Sequence, residues 1–332
     1  MKRLIYLAII TLLVSACASV QSEQSLEAEQ EIVVGTTFFP YYELTRPLLA
    51  DVGQVISVVP KTMDPHDFEP RIRELARLQT LSAYVKTGVE FEPFEEQIIE
   101  SLPSQIPIID AGASLSLLEY TGSHGHSHSH DDEHSSDHSH NESHSDSHSH
   151  DDEHSSDHHH DHTYDPHVWL SPKNALVIMQ EIQSQLEIIL PEHAQTIQEN
   201  AAQFGQQLQE LEQAYAQSLE TCQKDTIIVA HNAYSYLARD YGFHTASISG
   251  LSHESEPSLR QIAQLIDVAR EHNVTYVFFE EHVSSQVAQT IAREVGAQVE
   301  SLNPLEVVFD DRTYIEIMYE NLNKLAIALE CE

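Results

Sequence analysis

Basic residues are scarce in this sequence. The 332 residues include 16 Lys and Arg but 53 Asp and Glu, and the formal net charge is -37. Because protein contacts to nucleic-acid phosphates need Lys and Arg, a chain this acidic is not expected to bind nucleic acid. The charge suits a cationic ligand, although net charge bears on solubility and encounter rate more than on function.

The N-terminal apolar run is too short to cross a membrane. It covers residues 4–14, whereas a transmembrane helix needs about 20 apolar residues. It follows a basic pair and ends in small residues before Cys17, a pattern similar to a lipoprotein signal. We expect residues 1–16 to be a signal peptide and Cys17 to carry the lipid; the alternative is ordinary signal cleavage with a spare Cys17. Residues 17–30, rich in Ser, Gln and Glu, are predicted to tether an extracytoplasmic domain to the membrane.

Cysteine is also rare, with three in the chain. Apart from Cys17 there are only Cys222 and Cys331, and neither has a Cys or His neighbour at metal-ligand spacing. A zinc site built on cysteine is therefore not predicted. Two cysteines in an exported chain favour a disulfide, which would fasten the C-terminal helix to the beginning of the second half. The alternative is two free thiols.

Histidine is concentrated in one segment. Residues 124–162 hold 15 of the 23 histidines and 11 acidic residues, without Lys or Arg, and the sequence 127–138 recurs identically at 147–158. Such a segment cannot form an apolar core, so it is expected to be a disordered loop without metal. Imidazoles interleaved with carboxylates suit Zn²⁺ and predict weak binding of additional metal ions, whereas a plain solvated spacer is the alternative.

The remaining chain alternates predicted strands and helices in two halves. In the first half, strands are predicted at 32–37, 55–59, 83–88 and 106–110, and helices at 40–50 and 70–80. In the second half, strands are predicted at 226–230, 247–249, 274–279 and 298–302, and helices at 233–241, 257–272, 284–295 and 311–329. This alternation predicts an α/β protein of two lobes, each with a mostly parallel sheet flanked by helices.

A long helix is predicted between the two halves. Residues 171–190 have apolar residues at helical spacing and begin with Ser171 and Pro172, a good N-cap and first-turn pair. At 1.5 Å per residue this helix spans roughly 30 Å and would limit movement between the lobes. The predicted domains are an N-terminal lobe at 31–170, this linking helix, and a C-terminal lobe at 191–332 that begins with a second helix.

Open α/β sheets bind ligands beyond the carboxyl ends of their strands, and three of four candidate metal ligands are predicted there. His231 directly follows a predicted strand, and His66 and Glu306 lie in loops after strands. His167 precedes the linking helix. Three imidazoles and one carboxylate make a tetrahedral set typical of Zn²⁺.

Other interpretations of these residues stay open. Each histidine can equally be a hydrogen-bonded core residue. Glu281 and His282, adjacent at a strand end, compete with Glu306 for the fourth position, which water could also fill. The histidines interpreted as surface residues are His193, His244, His253, His272 and His282.

Four further residues are candidates for support of the site. Asp67 and Glu69 are candidates to orient the imidazoles. Trp169 and Phe68 are candidates to keep the site apolar and dry. Simple core packing explains the two aromatic residues equally well.

Several segments together resemble one protein family. They are DPHDFEP at 64–70, DPHVWLSP at 165–172, AHNAY at 230–234, LNPLE at 302–306 and YIEIMYENL at 314–322. In this order they are similar to the metal motifs and closing helix of the cluster A-I metal-binding receptors of ABC transporters, in particular the zinc-uptake branch. The resemblance covers residues 31–330.

The resemblance implies two α/β lobes joined by a long helix, with the metal between them and His66, His167 and His231 as ligands. Histidine at the third of these positions resembles the zinc branch, since manganese receptors usually have a carboxylate there. The histidine-rich loop is also a trait of that branch. Many members have Asp where this chain has Asn303, and Glu306 resembles the carboxylate ligand of another subgroup.

The sequence therefore predicts a lipid-anchored, monomeric, extracytoplasmic receptor that captures Zn²⁺ and delivers it to an ABC permease. It is not expected to be an enzyme. The rival within the class is a manganese or iron receptor. A zinc hydrolase would need a general base and an open metal position, and nothing resembles His-Glu-x-x-His. A surface adhesin or metal buffer without a permease is the third alternative.

Overall fold

The computed structural model describes residues 31–89, 91, 93–120, 163–251 and 257–332. The predicted signal peptide, Cys17, the tether and the histidine-rich segment at 124–162 lie outside the described residues. Within the described residues, every helix is too short or too polar to cross a membrane.

Two parallel four-stranded sheets form the centres of two lobes, with strand orders β2-β1-β3-β4 and β6-β5-β7-β8. In the first lobe the strands are β1 Val33–Thr36, β2 Gln54–Ser57, β3 Ala83–Lys86 and β4 Ile108–Asp110. In the second they are β5 Thr226–Val229, β6 His244–Ser247, β7 Tyr276–Phe279 and β8 Gln298–Ser301. The predicted two-lobe α/β fold is confirmed.

The described residues contain nine α-helices, most of them near their predicted positions. They are α1 Phe39–Thr45, α2 Ile72–Arg77, α3 Pro93–Ser101, α4 Pro172–Ile189, α5 Ala194–Ser218, α6 Ser235–Tyr241, α7 Leu259–Glu271, α8 Gln286–Val295 and α9 Tyr314–Ala328. Short 3-10 turns occupy Arg46–Leu49, Leu78–Thr80, Val168–Leu170 and Pro191–His193.

Two elements differ from the sequence-based expectation. Helix α3 was not predicted from the sequence, yet it buries Phe94 and Ile98. Strand β6 begins at His244, earlier than the predicted 247–249. It lies at the edge of its sheet, where polar residues such as the exposed His244 are tolerated, so it lacks the apolar run of a buried strand.

The two lobes repeat one topology. Each runs strand, helix, strand, helix, strand, helix, strand, as β1-α1-β2-α2-β3-α3-β4 and β5-α6-β6-α7-β7-α8-β8. The strand orders are equivalent as well. Each of these strands and helices in one lobe therefore has a counterpart in the other.

Two consecutive helices connect the lobes. Helix α4 begins with Ser171, whose hydroxyl accepts a hydrogen bond from the Asn174 amide, and with Pro172 in its first turn. It packs on α1 and β4 of the first lobe and along α5. The longer helix α5 contacts the first lobe at Arg46–Leu49 and the second half through α9. The connection between the lobes, which was predicted to be one helix, is thus made by α4 and α5 together. The domain bounds at 170 and 190 stay predictions.

A disulfide joins the two ends of the second half. The sulfur atoms of Cys222 and Cys331 are 2.03 Å apart. Cys222 follows α5 and Cys331 follows α9, and the two residues also form an isolated antiparallel bridge. The bond therefore closes a long segment of chain around the second sheet.

Candidate metal centre

Four side chains from both lobes converge between the carboxyl edges of the two sheets. They are His66, His167, His231 and Glu306, and their ligand atoms all lie within 4.8 Å of one another. His66 lies in the loop between β2 and α2, and His167 immediately precedes the turn that leads into α4. His231 and Glu306 follow β5 and β8. We call this group the four-donor site; it contains all four metal ligands predicted from the sequence.

The spacing of the donors suits one small cation. Glu306 Oε1 lies 3.5 Å from Nε2 of His66, 3.3 Å from Nε2 of His167 and 3.6 Å from Nε2 of His231. The Nε2 atoms of His167 and His231 are 3.2 Å apart. Tetrahedral ligands about 2.0–2.2 Å from Zn²⁺ are themselves about 3.3–3.6 Å apart. Four of the six donor pairs therefore already have about the spacing of a zinc tetrahedron.

Two carboxylates fix the orientation of two imidazoles. His167 Nδ1 lies 2.8 Å from Asp165 Oδ1, which also accepts the His167 backbone N–H at 2.9 Å. His231 Nδ1 lies 2.6 Å from Glu280 Oε1. A carboxylate at Nδ1 favours the tautomer with its proton on Nδ1, so the lone pair of Nε2 points into the site.

These orienting carboxylates differ from the sequence-based candidates. Asp67 and Glu69 are exposed, so they do not serve the four-donor site, whereas Asp165 and Glu280 are buried. The sequence signal for Asp165 is Asp-Pro-His, in which the carboxylate accepts the N–H two residues on, as Asp64 does for His66 at 2.9 Å.

Glu280 could be found only through the sheet order. It follows β7, and β7 pairs with β5, which ends just before His231. The carboxyl ends of neighbouring parallel strands meet at one edge, so these two side chains are brought together.

Glu281 and His282, the two competitors for the fourth ligand position, do not take the place of Glu306. Glu281 is exposed. His282, which was interpreted as a surface residue, is partly buried, and its Nε2 lies 3.3 Å from Asp64 Oδ2 in the other lobe. His282 therefore contacts the loop that carries His66 and stands outside the four-donor site.

Burial makes the charges of the four-donor site strongly interdependent. Burial alone would raise the pKa of Glu306, but the His231 and His66 imidazoles hold that pKa well below its usual value. Burial alone would lower the pKa of His231, but the carboxylates of Glu280 and Glu306 raise it well above its usual value. The metal-free site thus favours an ionised Glu306 beside a protonated imidazole.

The sequence profile of the ZnuA family, described as zinc-uptake complex component A periplasmic, matches residues 34–328. The chain belongs to this family. The resemblance inferred from the motifs is therefore confirmed.

Individual members and solved structures agree with this assignment. The high-affinity zinc uptake system protein ZnuA of Bacillus subtilis is 33% identical over 325 residues, 96% of this chain and 94% of the relative. The zinc-binding lipoprotein AdcA of Streptococcus pneumoniae is 31% identical over 326 residues, 95% of this chain and 59% of the relative. This chain thus spans about three fifths of the length of the AdcA proteins it matches. The Zn(II)-bound ZnuA-like domain of pneumococcal AdcA superposes with a TM-score of 0.69 at 28% identity, covering 90% of this chain and 99% of that one.

In this ZnuA-family chain, Asn303 has a structural task. Its Oδ1 accepts the Leu305 N–H at 2.7 Å, and its backbone exchanges two hydrogen bonds with the Asn321 side chain. Leu305 has φ +63°, a left-handed conformation that a leucine rarely adopts and that needs such support. The turn held in this way aims Glu306 at the three imidazoles, so Glu306 occupies the position of the carboxylate donor.

Aromatic residues keep the site of this ZnuA-family chain apolar. Trp169 is fully buried, its ring centre lies 5.3 Å from that of His167, and its Nε1 donates to Pro304 O at 2.8 Å. The ring of Phe91, which the sequence did not single out, lies 5.2 Å from that of His66. Phe68, the other candidate to keep the site dry, packs on the ring of Phe94. Excluding water here strengthens every electrostatic interaction of the donors.

Proposed function

We propose that this chain is the zinc-capturing receptor of an ABC-type uptake system. It binds one Zn²⁺ between its lobes with His66, His167, His231 and Glu306 and delivers the ion to a membrane permease. The observation that carries the proposal is the convergence of four donors, two from each lobe, whose ligand atoms all lie within 4.8 Å of one another, with four of the six pairs at about the spacing of a zinc tetrahedron. The names of the relatives, zinc-binding AdcA and zinc-uptake ZnuA, support the same cargo.

The donor chemistry favours zinc over manganese and magnesium. Three imidazole nitrogens suit Zn²⁺, whereas Mn²⁺ and Mg²⁺ prefer carboxylate, carbonyl and water oxygens. A carboxylate in place of the third histidine, His231, would shift the preference towards Mn²⁺ and Mg²⁺. Glu280 lies 2.6 Å from Nδ1 of His231; it holds the tautomer of this imidazole and raises the basicity of the imidazole as a ligand.

The same geometry favours binding over catalysis. Four protein donors fill a tetrahedron, whereas a catalytic zinc keeps one position open for water. Two further buried carboxylates lie beside the donors, and they face the outer nitrogens of the rings: Glu280 faces Nδ1 of His231 and Asp165 faces Nδ1 of His167. We therefore assign the chain a carrier role without enzymatic activity.

The segments outside the described residues complete the proposal. Cys17 carries a lipid that holds a monomeric receptor at the outer face of a membrane, as the lipoprotein name of pneumococcal AdcA supports. The histidine-rich residues 124–162 bind additional Zn²⁺ weakly and raise its concentration near the cleft.

Chelator competition tests where the tight zinc binds. The measurement compares the full chain with a chain that lacks residues 124–162. One tightly bound zinc in both proteins is the expected result, with the weak sites lost on deletion. Loss of the tight zinc on deletion would place the main site in the histidine-rich segment and remove the receptor proposal.

Single substitutions test the ligand assignment. His66→Ala, His167→Ala and His231→Ala are each expected to weaken zinc binding by at least about a hundredfold, because an incomplete ligand set cannot close the tetrahedron. His244→Ala is the matched control, since this histidine is exposed at the edge of the second sheet. An unchanged affinity in any of the three variants would remove that residue from the site.

A further inference from the structure

Glu95 is a buried carboxyl group that the four-donor site does not use. It lies in the first turn of α3 and is 7% exposed. Two threonines at the ends of the neighbouring strands β1 and β3 surround it. Its Oε1 accepts the Thr37 hydroxyl at 2.6 Å and the Thr87 N–H at 2.8 Å, and its Oε2 lies 2.6 Å from the Thr87 hydroxyl oxygen. These contacts decide whether the buried group is ionised or neutral.

The Thr87 hydroxyl has one proton but faces two acceptors. Its oxygen lies 2.6 Å from Glu95 Oε2 and 3.0 Å from the carbonyl oxygen of Val89. If Glu95 were ionised, the hydroxyl proton would satisfy one acceptor, and a lone pair of Thr87 would face the other. If Glu95 carries a proton on Oε2, it donates to Thr87, and Thr87 donates to Val89. Only the neutral acid satisfies both contacts in this buried place, where an unpaired carbonyl is costly.

Charged and titratable groups approach Glu95 from three other elements. Lys86 at the end of β3 carries a positive charge, which pairs with Asp110 of β4 at 2.7 Å. The hydroxyls of Tyr84 on β3 and Tyr41 on α1 are neutral, because burial raises their pKa values well above the usual range. Burial also raises the pKa of Glu95, and the charge of Lys86 and the hydrogen bonds from the threonines offset only part of this effect.

The contacts of Glu95 extend to the metal site through Phe91. This residue lies in the chain between Thr87 and Glu95 and is 1% exposed. Its ring centre lies 4.8 Å from that of Phe38, in a stacked arrangement, and 5.2 Å from that of His66. Because Glu95 binds both the N–H and the hydroxyl of Thr87, it joins the two ends of the segment that places Phe91 against His66.

We propose that Glu95 is a neutral carboxylic acid that acts as a positioning residue for the metal site. Its proton completes the hydrogen-bond chain from Glu95 through Thr87 to Val89, and this chain holds Phe91 against His66. Loss of the proton as pH rises leaves one of the two contacts unpaired and loosens the segment. The effect on zinc rests on the proposed function, whereas the protonation state of Glu95 does not.

The pH dependence of unfolding tests the protonation state. Because the pKa of Glu95 is raised in the folded protein, its stabilising effect is complete below the ordinary value of 4.5 and is lost as pH rises through the folded pKa. Glu95→Gln keeps the shape and a donor towards Thr87 but has no proton to lose. Between the two pKa values, the unfolding constant in urea is expected to rise about tenfold per pH unit in the wild type relative to this variant.

Glu96→Gln is the matched control, because Glu96 is the next residue of α3 and is exposed. Its unfolding constant is expected to follow that of the wild type at every pH. If Glu95 were ionised in the folded protein, Glu95→Gln would be less stable than the wild type at neutral pH and would approach it in acid. That opposite dependence would overturn the proposal.

Infrared spectroscopy gives a direct second readout. The difference spectrum between the wild type and Glu95→Gln at neutral pH is expected to contain the C=O band of a protonated carboxylic acid. A carboxylate band in its place would overturn the neutral state, even if the variant folded poorly in the urea experiment.

Zinc release tests the positioning role. Thr87→Val keeps the shape and the N–H but removes the hydroxyl, and it is expected to release zinc to a coloured chelator about fivefold faster, the equivalent of one hydrogen bond. Thr87→Ser, which retains the hydroxyl, is expected to release zinc at the wild-type rate. If Thr87→Val unfolded more easily but released zinc at the wild-type rate, the threonine would be purely structural and the positioning role would be wrong.

Failure of the proposed function would be recognised separately. A wild type without a tightly bound zinc would give no release signal, which would remove the receptor function and with it the positioning role. The unfolding and infrared measurements contain no zinc, so they would still decide the protonation state of Glu95.

Discussion

The Nε2 atoms of His167 and His231 face each other across 3.2 Å in the protein interior. Because Nδ1 of each ring is turned towards a carboxylate, two Nε2 lone pairs would oppose each other in the neutral rings. Only a proton or a metal ion between them relieves this opposition. Against the effect of burial, Glu280 and Glu306 raise the pKa of His231, and His231 and His66 lower the pKa of Glu306, so both shifts favour a protonated imidazole beside an ionised Glu306. Zinc capture is then an exchange of this proton for Zn²⁺.

This exchange predicts a pH-dependent affinity. The pKa of His231 lies above its usual value of about 6.5, so protons compete with zinc from above neutral pH downwards. Zinc affinity should rise as pH increases, with about one proton released per zinc near neutral pH. Calorimetry in buffers of different ionisation enthalpy measures the released proton. A constant affinity from about pH 6 to 8 would contradict the exchange.

The carboxylate behind His231 predicts a second effect. Glu280→Gln keeps the shape of the side chain but removes the charge that raises the pKa of His231. Zinc affinity is expected to fall by about 10- to 100-fold, and its pH dependence to move to lower pH. Glu281→Gln is the neighbouring control, since Glu281 is exposed. Equal effects of the two substitutions would show that the charge of Glu280 is not specifically required.

The extent to which the sequence predicts this site depends on where each residue stands in the chain. His66 and His167 are in local Asp-Pro-His turns, and His231 directly follows a strand. These short motifs marked them as candidates, and the resemblance to the receptor family implied that they are ligands. Glu280 was missed because its partnership with His231 depends on the pairing of β5 with β7, which no local pattern specifies. His282 was misplaced for the same reason, since its contact Asp64 belongs to the other lobe.

The fold shows the same division between local and long-range information. Strong periodicity predicted α4 and the buried strands close to their observed bounds. The short helix α3 and the edge strand β6 were missed or displaced, because their stability comes from packing against neighbours more than from their own apolar pattern.

The single tryptophan predicts a direct optical signal. Trp169 packs against His167, and its Nε1 donates to Pro304, two residues from Glu306. Zinc binding should change its fluorescence and saturate at one equivalent, whereas zinc on residues 124–162, which contain no tryptophan, should be silent. Trp169→Phe should abolish the signal while zinc binding persists in chelator competition. A signal that keeps changing beyond one equivalent would contradict this assignment.

The disulfide predicts a stability difference. Cys222 and Cys331 are separated by 109 residues, and a crosslink over so long a loop stabilises a protein by about 2–4 kcal/mol, mainly by restricting the unfolded chain. The double variant Cys222→Ser, Cys331→Ser should unfold at lower denaturant concentration and retain tight zinc binding. Mass measurement with and without reductant verifies the bond in the wild type. Equal stability of the wild type and the double variant would show that the bond contributes little.

The contact between His282 and Asp64 is expected to slow the release of zinc. Asp64 accepts the His66 N–H with Oδ1 and faces His282 Nε2 with Oδ2, so it ties the His66 loop to the second lobe. His282→Ala should therefore accelerate zinc release by about fivefold, the equivalent of a hydrogen bond of about 1 kcal/mol. Release into excess chelator, followed by Trp169 fluorescence, measures this rate. His272→Ala, which removes a histidine paired with Asp225 on the surface, is the control. Because opening the lobes must break the His282 contact before the ion can leave, an unchanged release rate would show that the lobes separate elsewhere first.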